Sequence, residues 1–115
     1  MARKRRRWPS EDESYVCGPG SVPLLGLTVG RLLERAADRF GDREAVVSVA
    51  QQRRRATYGR LLDEADRLAG GLRALRLQRG DRVGVWGPNS YEWYLTQWAV
   101  ARAGLVLVSL LQWST

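Results

Sequence analysis

The sequence predicts an α/β fold, and three observations support that prediction. Apolar residues recur with the 3.6-residue period of a helix in two long segments. Short runs bounded by turn residues are typical of strands. Near the C-terminal end, a strand, a helix and a second strand follow one another with short joints, which is the pattern of a βαβ unit. At 115 residues the chain has room for one compact domain at most.

The first predicted elements are a helix and a β-hairpin. Thr28 can cap a helix from Val29 to Phe40, and Gly41 supplies its stop. One face of this helix is apolar, formed by Val29, Leu32, Leu33, Ala36, Ala37 and Phe40. "EAVVSVA" at 44–50 then predicts a strand, with a turn at Gln51-Gln52 and a partner strand in "RRRAT" at 53–57.

The second helix is predicted to be longer than the first. Thr57 can cap it, and its apolar stripe consists of Tyr58, Leu61, Leu62, Ala65, Leu68, Ala69, Leu72 and Leu75. Gly70 and Gly71 interrupt this stripe, and each costs about 1 kcal/mol of helix stability relative to alanine. We expect two small residues there to permit close packing against another element.

Glycine and proline residues mark the ends of the elements in the predicted βαβ unit. Val83 to Trp86 is a short apolar strand that Gly87-Pro88 ends, and Asn89 or Ser90 can cap a helix over Tyr91 to Ala103. Gly104 closes that helix. "LVLVSLL" at 105–111 is apolar enough for a strand that is buried on both faces.

Two functional interpretations of "RGDRVGVWG" at 79–87 fail. The gaps between Gly80, Gly84 and Gly87 are three and two residues, whereas a dinucleotide-binding turn needs gaps of one and two. The tripeptide Arg79-Gly80-Asp81 could attract a cell-surface receptor, but no secretory feature accompanies it. We therefore interpret the segment as a helix-to-strand turn without chemistry of its own.

Composition excludes several classes of active site. The chain has no histidine, and its single lysine is Lys4, so histidine catalysis, histidine metal sites and a lysine clamp in the folded part are excluded. The single cysteine, Cys17, cannot form an internal disulfide, which fits a reducing compartment. The longest uncharged apolar stretch has 13 residues, too few to span a bilayer.

The net charge of +7 does not by itself predict nucleic-acid binding. Most arginines alternate with Asp and Glu along amphipathic helices, which is typical of solvated helix faces. The densest internal cluster, Arg53-Arg54-Arg55, lies on a predicted strand, where neighbouring side chains point to opposite faces. We expect no nucleic-acid partner.

Three segments together resemble the opening of an adenylate-forming (AMP-binding) enzyme. They are "LTVGRLLERAADRFGDREAVV", "ATYGRLLDEADRLAGGLRALRLQRGDRVGVWGPNSYEW" and "AVARAGLVLVS". Within that superfamily they are most similar to fatty-acyl-CoA synthetases of the mitochondrial medium-chain group, over about residues 14 to 109. The resemblance implies the N-terminal, incomplete part of the large domain (helix, β-hairpin, helix, βαβ unit). It also implies a mitochondrial location. Apart from the resemblance, we expect a cytoplasmic location.

The resemblance implies an activity for the parent enzyme and none for this chain. The family uses ATP and Mg²⁺ to convert a fatty acid to an acyl-adenylate and then transfers the acyl group to coenzyme A. Its Ser/Thr/Gly-rich phosphate loop with lysine, nucleotide pocket and C-terminal lysine have no counterpart here. We therefore predict no catalytic, cofactor-binding or metal-binding residue, and no cofactor bound by this segment.

The predicted organisation has three parts. Residues 1–25 form a flexible polar and basic tail without a clear transit peptide, because acidic Glu11-Asp12-Glu13 does not fit one. Residues 26–109 form the synthetase-like portion. Residues 110–115 ("LLQWST") form a divergent end, which we attribute to truncation or alternative splicing. An uncovered last strand predicts self-association. The alternatives are a self-standing α/β interaction module and a basic nucleic-acid-binding protein.

Overall fold

The computed structural model describes residues 18, 20–49 and 53–110. The elements, in chain order, are α1 Val29–Phe40, β1 Glu44–Ser48, β2 Arg54–Thr57, α2 Tyr58–Ala74, β3 Arg82–Trp86, α3 Tyr91–Ala103 and β4 Val106–Leu110. This is the predicted sequence of helix, hairpin, helix and βαβ unit. The predicted Gln51-Gln52 turn, most of the predicted tail and the end from residue 111 lie outside the described residues.

Each helix begins at a hydroxyl side chain that satisfies a free backbone donor. Thr28 accepts a hydrogen bond from the Arg31 amide, and Thr57 accepts one from the Arg60 amide. Ser90, rather than Asn89, accepts from the Trp93 amide at 3.1 Å. A cap of this kind stabilises a helix by about 1 kcal/mol, which explains why sequence reasoning could place all three helix starts.

Gly41 ends α1 for a different reason from the one predicted. Its φ and ψ are −46° and −42°, a right-handed conformation that any residue can adopt. A Cβ at this position would lie 2.9 Å from the Ala37 carbonyl oxygen, so the glycine is required by space. The Gly41 carbonyl accepts from the Gly59 amide at 3.0 Å, which ties the end of α1 to the start of α2.

The four strands form two separate pairs among the described residues. β1 and β2 are antiparallel with an irregularity between Glu44 and Val46. β3 and β4 are parallel, and Arg82 faces Val106 at one end while Trp86 faces Leu110 at the other. Helix α3 connects the two parallel strands, which confirms the predicted βαβ unit. At its end Gly104 has φ +74°, the left-handed conformation that suits glycine at a helix terminus.

Two apolar clusters hold the elements together, and both use α2 and α3. The first joins these helices to the β3–β4 pair and contains Ala69, Ala99, Val100, Ala103 and Leu105, with Val83 and Leu107 packed against it. The second joins them to α1 and contains Leu33, Leu61 and Ala65, with Tyr94 and Trp98 at its border. Because α2 and α3 cross both clusters, they form the centre of the molecule.

The expectation of close packing at Gly70 and Gly71 was wrong. A Cβ built at either residue would meet no atom within 4 Å, and both residues are exposed. The glycine at which helices do approach closely is Gly30 of α1. A Cβ there would lie 3.1 Å from the Ala101 carbonyl oxygen and 3.3 Å from the Arg102 Cα. Gly30 therefore permits the contact between α1 and α3.

Candidate functional site

The tripeptide Arg79-Gly80-Asp81 forms a structural turn in which the Gly80 amide and the Asp81 carboxylate and carbonyl are already hydrogen-bonded. One carboxylate oxygen of Asp81 accepts from the Gln78 amide at 2.8 Å, and the Asp81 carbonyl accepts from the Val106 amide at 2.8 Å. Gly80 has φ +89° and donates its amide to the Gly104 carbonyl at 3.0 Å. The turn therefore fixes the beginning of β3 beside the beginning of β4.

The densest polar cluster of the described chain surrounds Glu64 on α2. Its carboxylate accepts from the Tyr91 hydroxyl at 2.8 Å, from the Arg54 guanidinium at 3.0 Å and from Arg60 Nε at 2.9 Å. The Arg54 guanidinium also lies 3.9 Å from the centroid of the Tyr91 ring, within the range of a cation–π contact. The cluster therefore joins β2, α2 and α3 through one carboxylate.

The surroundings of Glu64 and Tyr91 lower the pKa of Glu64 and raise the pKa of Tyr91. Burial alone would raise the pKa of the Glu64 carboxyl, but hydrogen bonds from Arg60 and Tyr91 and the charge of Arg54 lower it below its usual range. Burial, together with the hydrogen bond to Glu64, raises the pKa of the Tyr91 hydroxyl to about 12. Glu64 is thus held charged and Tyr91 neutral at physiological pH, and neither is poised to transfer a proton near pH 7.

A second polar cluster lies where the three helices meet. The Arg102 guanidinium of α3 binds both oxygens of Asp66 on α2, at 2.6 and 3.0 Å. It also reaches the Gly30 carbonyl and the Glu34 carboxylate on α1, each at 3.3 Å. The hydrogen bond to Asp66, partly opposed by burial, raises the pKa of Arg102. Arg102 therefore connects α1 and α2 to α3.

An open cleft of about 430 Å³ lies beside this second cluster. Its lining consists of Arg31, Glu34, Asp66, Ala69, Gly70, Arg73 and Arg102. The two acids in the lining are both occupied by Arg102. The cleft therefore has no free carboxylate to act as a general base, and it contains no nucleophilic side chain.

The described residues do not fit the nucleotide, metal or coenzyme that the family resemblance implies. No group of three or more His, Cys, Asp or Glu side chains that could hold a metal ion occurs among them. The only lysine, Lys4, lies outside the described part. Glu44, Glu64 and Asp66 are each bound to an arginine. These paired acids do not supply an oxygen-rich metal site.

Sequence reasoning predicted no catalytic or ligand-binding residue, and it also missed the two arginine–carboxylate clusters. The spacing of Arg60 and Glu64 was the one available signal, because residues four apart on a helix are neighbours. Contacts between Arg54 and Glu64, or between Arg102 and Asp66, depend on tertiary packing that no local pattern encodes. No helix among the described residues has the length and apolar character to cross a membrane.

Comparison with known families and proteins finds similarity to AMP-binding enzymes and to acyl-CoA ligases. Residues 33–112 match the family described as "AMP-binding enzyme". The chain is 45% identical over 97 residues to the mouse protein "Medium-chain acyl-CoA ligase ACSF2, mitochondrial". It is 47% identical over 97 residues to the human protein of the same name. Each alignment covers 84% of this chain and 16% of the relative, so the chain spans about a sixth of the relatives' length.

Solved structures give the same result at lower identity. A fatty acyl CoA synthetase from Mycobacterium tuberculosis superimposes with a TM-score of 0.68 and 31% identity, over 73% of this chain and 16% of that one. The N-terminal subdomain of NpsA from Klebsiella oxytoca superimposes with a TM-score of 0.66 and 29% identity, over 72% of this chain and 21% of that one. The family match reaches residue 112, whereas the boundary at residue 109 and the other predicted domain limits remain predictions.

Proposed function

The chain belongs to the AMP-binding enzyme family, and on that premise we propose that it supplies scaffold, without catalytic groups, to a mitochondrial medium-chain acyl-CoA ligase. The observation that carries the proposal is the 45–47% identity to the mouse and human ligases. That identity falls on a segment in which Thr28, Thr57 and Ser90 cap helices, and in which the Glu64 and Asp66 carboxylates are engaged in ion pairs. Residues used in this way position other parts of a domain.

The proposed parent activity is activation of a fatty acid by ATP, followed by transfer of the acyl group to coenzyme A. ATP, Mg²⁺ and coenzyme A would be held by other parts of such an enzyme, because the residues described here do not fit them. The contribution of this segment is rigidity. The Glu64 and Arg102 clusters fix the relative positions of the three helices, and the turn at Asp81 fixes the parallel strands. Catalytic residues held on a rigid support keep the geometry that the reaction requires.

Exchange of segments with a relative tests this scaffold function. The 97 matched residues of the mouse ligase would be replaced by the corresponding residues of this chain, and acyl-CoA formation would be measured with a medium-chain fatty acid. We expect the chimera to retain activity. Leu61→Asp in the chimera places a charge at a fully buried position and should abolish activity, whereas Leu75→Asp, at a 73% exposed position, should not. A folded chimera without activity would contradict the proposal.

The chain by itself should be inactive. Purified protein mixed with fatty acid, ATP, Mg²⁺ and coenzyme A should release no pyrophosphate above a blank without protein. The physical reason is the absence of a lysine beyond Lys4 to neutralise charge on a transferring phosphate. Turnover that persists after contaminating ligases are removed, and that follows the chain through purification, would show that the segment carries catalytic groups.

A further inference from the structure

Four arginines lie at one end of the molecule, and we name this group the basic end. Its members are Arg73, Arg76, Arg79 and Arg82. Arg73 stands in the last turn of α2, and Arg82 begins β3 beside Val106 at the start of β4. Arg79 Cγ lies 3.6 Å from the position that a Cβ of Gly104 would occupy, just after α3. The basic end therefore lies where two helices end and two strands begin.

The charge of the basic end is not balanced by acids. Residues 67–91 contain five arginines and one acid, Asp81, and the Asp81 carboxylate already accepts from the Gln78 amide. All four arginines are exposed, and none forms an ion pair with another described residue. The helix dipole attracts cations only within the last turn of α2, so it explains Arg73 but not Arg79 or Arg82.

Arg76 adopts a backbone conformation that is unfavourable for an arginine. Its φ is +64°, in the left-handed region where glycine is the usual residue just after a helix. Its amide donates to the Arg73 carbonyl at 2.9 Å, a bond that a glycine amide would make as well. Because folding favours glycine at this position, the charge of Arg76 explains its presence better than the local structure does.

The basic end is also unsuited to burial inside a longer protein. The relatives are about six times as long as the matched part of this chain, so some of its surface is covered in a protein of their length. Burial of an unpaired guanidinium is strongly unfavourable, however, whereas burial of apolar surface is favourable. The four arginines therefore stay at a surface or meet a partner that carries negative charge.

An exposed leucine among these arginines indicates which anionic partner fits. Leu75 is 73% exposed and lies between Arg73 and Arg76. At a membrane surface, apolar side chains enter the boundary between headgroups and acyl chains while cations bind anionic headgroups. A single-stranded nucleic acid would instead stack its bases on aromatic side chains, and the exposed Trp86 stands at the opposite end of β3 from Arg82.

We propose that the basic end binds the surface of membranes that contain anionic lipids, with its arginines on the headgroup phosphates and Leu75 at the boundary with the acyl chains. Each arginine near such a surface raises the partition coefficient about fivefold. Binding through four arginines is therefore reversible and depends on salt, because the Debye length falls from about 10 Å at 0.1 M to about 3 Å at 1 M.

Co-sedimentation of the purified chain with lipid vesicles tests the proposal. Vesicles of equal parts phosphatidylcholine and phosphatidylserine should bind the chain, and salt at about 1 M should release it. Vesicles of phosphatidylcholine alone should bind it much more weakly. Equal binding to the two kinds of vesicle would overturn the proposal.

Two double variants show whether the basic end is responsible. Arg76→Gly with Arg79→Gln removes two charges from it and should weaken binding about 25-fold. Arg35→Gln with Arg39→Gln removes two charges from exposed positions of α1 and should change binding by less than about twofold, since attraction fades beyond a Debye length. The basic run at residues 3–7 is the same in both variants. Equal binding by the two would overturn the proposal, because net charge or that run would then be sufficient.

Arg76→Gly alone separates binding from folding. Glycine relieves the left-handed conformation, so this variant should unfold at a higher temperature than the wild type and yet bind vesicles about fivefold more weakly. A weaker fold cannot produce that combination. An Arg76→Gly variant that binds as well as the wild type would contradict the proposal.

Leu75→Ser distinguishes a membrane from a nucleic acid. It should weaken vesicle binding at least about threefold, because a leucine side chain no longer leaves water. Fluorescence anisotropy with a labelled RNA duplex supplies the comparison, and we expect weaker binding to the duplex than to the vesicles. Tighter binding to the duplex, together with no effect of Leu75→Ser on the vesicles, would make the basic end a nucleic-acid site and overturn the proposal.

Discussion

At the scale of single residues, Tyr91 and Glu64 form a contact that joins α3 to α2. The Tyr91 side chain is almost fully buried and donates its hydroxyl hydrogen to Glu64 at 2.8 Å. Two arginines bind the same carboxylate. Removal of the hydroxyl therefore leaves Glu64 charged and still partnered, so the loss should be moderate.

Tyr91→Phe should lower the free energy of unfolding by about 1.5–3 kcal/mol at pH 7, the usual contribution of a hydrogen bond to a charged group. Urea unfolding followed by circular dichroism measures this difference. Tyr58→Phe is a suitable control, because the Tyr58 hydroxyl forms no hydrogen bond with the residues that the structure describes. Equal losses in the two variants would argue against a special role for the Tyr91–Glu64 contact.

The stabilisation by Tyr91 should also depend on pH in a defined direction. The pKa of its hydroxyl is raised to about 12 in the folded chain, whereas a tyrosine in an unfolded chain has a pKa of about 10. A raised pKa stabilises the fold fully below pH 10, and this contribution is lost as the pH rises toward 12. The stability difference between the wild type and Tyr91→Phe should therefore shrink between pH 10 and 12. Absorbance at 295 nm would show one tyrosine that ionises late.

Two glycines should respond in opposite ways to the same substitution. Gly30→Ala places a Cβ 3.1 Å from the Ala101 carbonyl oxygen, so it should separate α1 from α3 and destabilise the chain by about 1–3 kcal/mol. Gly70→Ala meets no atom within 4 Å inside α2, where alanine favours the helix, and should stabilise the chain by up to about 1 kcal/mol. Thermal unfolding of both variants checks the pair. The prediction fails if Gly70→Ala is the more destabilising.

At the scale of elements, α1 depends on its contacts with α2 and α3. Besides Leu33, its main link is the Arg102 guanidinium, which bridges Asp66 and Glu34 and reaches the Gly30 carbonyl. A lysine cannot reproduce this arrangement, because an ammonium group lacks the planar fork that binds a carboxylate through two nitrogens. Arg102 therefore helps to hold α1 against α2 and α3.

Arg102→Met should reduce the protection of α1 amides from hydrogen exchange more than that of α2 amides. We expect a loss of global stability of up to about 1 kcal/mol, because Asp66 and Glu34 are 46% and 43% exposed and water solvates them once their cation is removed. Arg73→Met is the matched control, since Arg73 lines the same cleft but forms no ion pair with another described residue. A uniform decrease along the whole chain in Arg102→Met would contradict a local effect on α1.

The sequence predicted the elements well because their signals are local. Hydroxyl residues at Thr28, Thr57 and Ser90 mark the helix starts, and the apolar period marks the buried face. Contacts between elements have no such local signal. The glycine that permits close helix packing is Gly30, whereas the conspicuous pair Gly70-Gly71 faces open space, and only the tertiary structure distinguishes them. For the same reason the Glu64 and Arg102 clusters could not be predicted.

At the scale of the whole molecule, the two apolar clusters should unfold as one unit, because α2 and α3 belong to both. Leu61→Ala leaves a cavity at a fully buried position in the cluster near α1 and should cost about 2–5 kcal/mol. Exchange protection near Val100, in the other cluster, should fall equally. Leu75→Ala, at an exposed residue, should change stability by less than about 0.5 kcal/mol. Unchanged protection near Val100 in Leu61→Ala would show that the clusters unfold separately.

The parallel pairing of β3 with β4 sets the order of events during synthesis of the chain. Arg82 pairs with Val106, so no bond of this ladder can form until 24 further residues have been added, from 82 to 106. Ribosomes add about 5–20 residues per second, which makes this delay about 1–5 s. Helices and hairpins form within microseconds, so α1, the β1–β2 hairpin and α2 have time to assemble first. Until β4 is made, Val83 and the apolar side of α2 stay exposed to water. A chaperone that binds exposed apolar segments could bind the nascent chain during that interval.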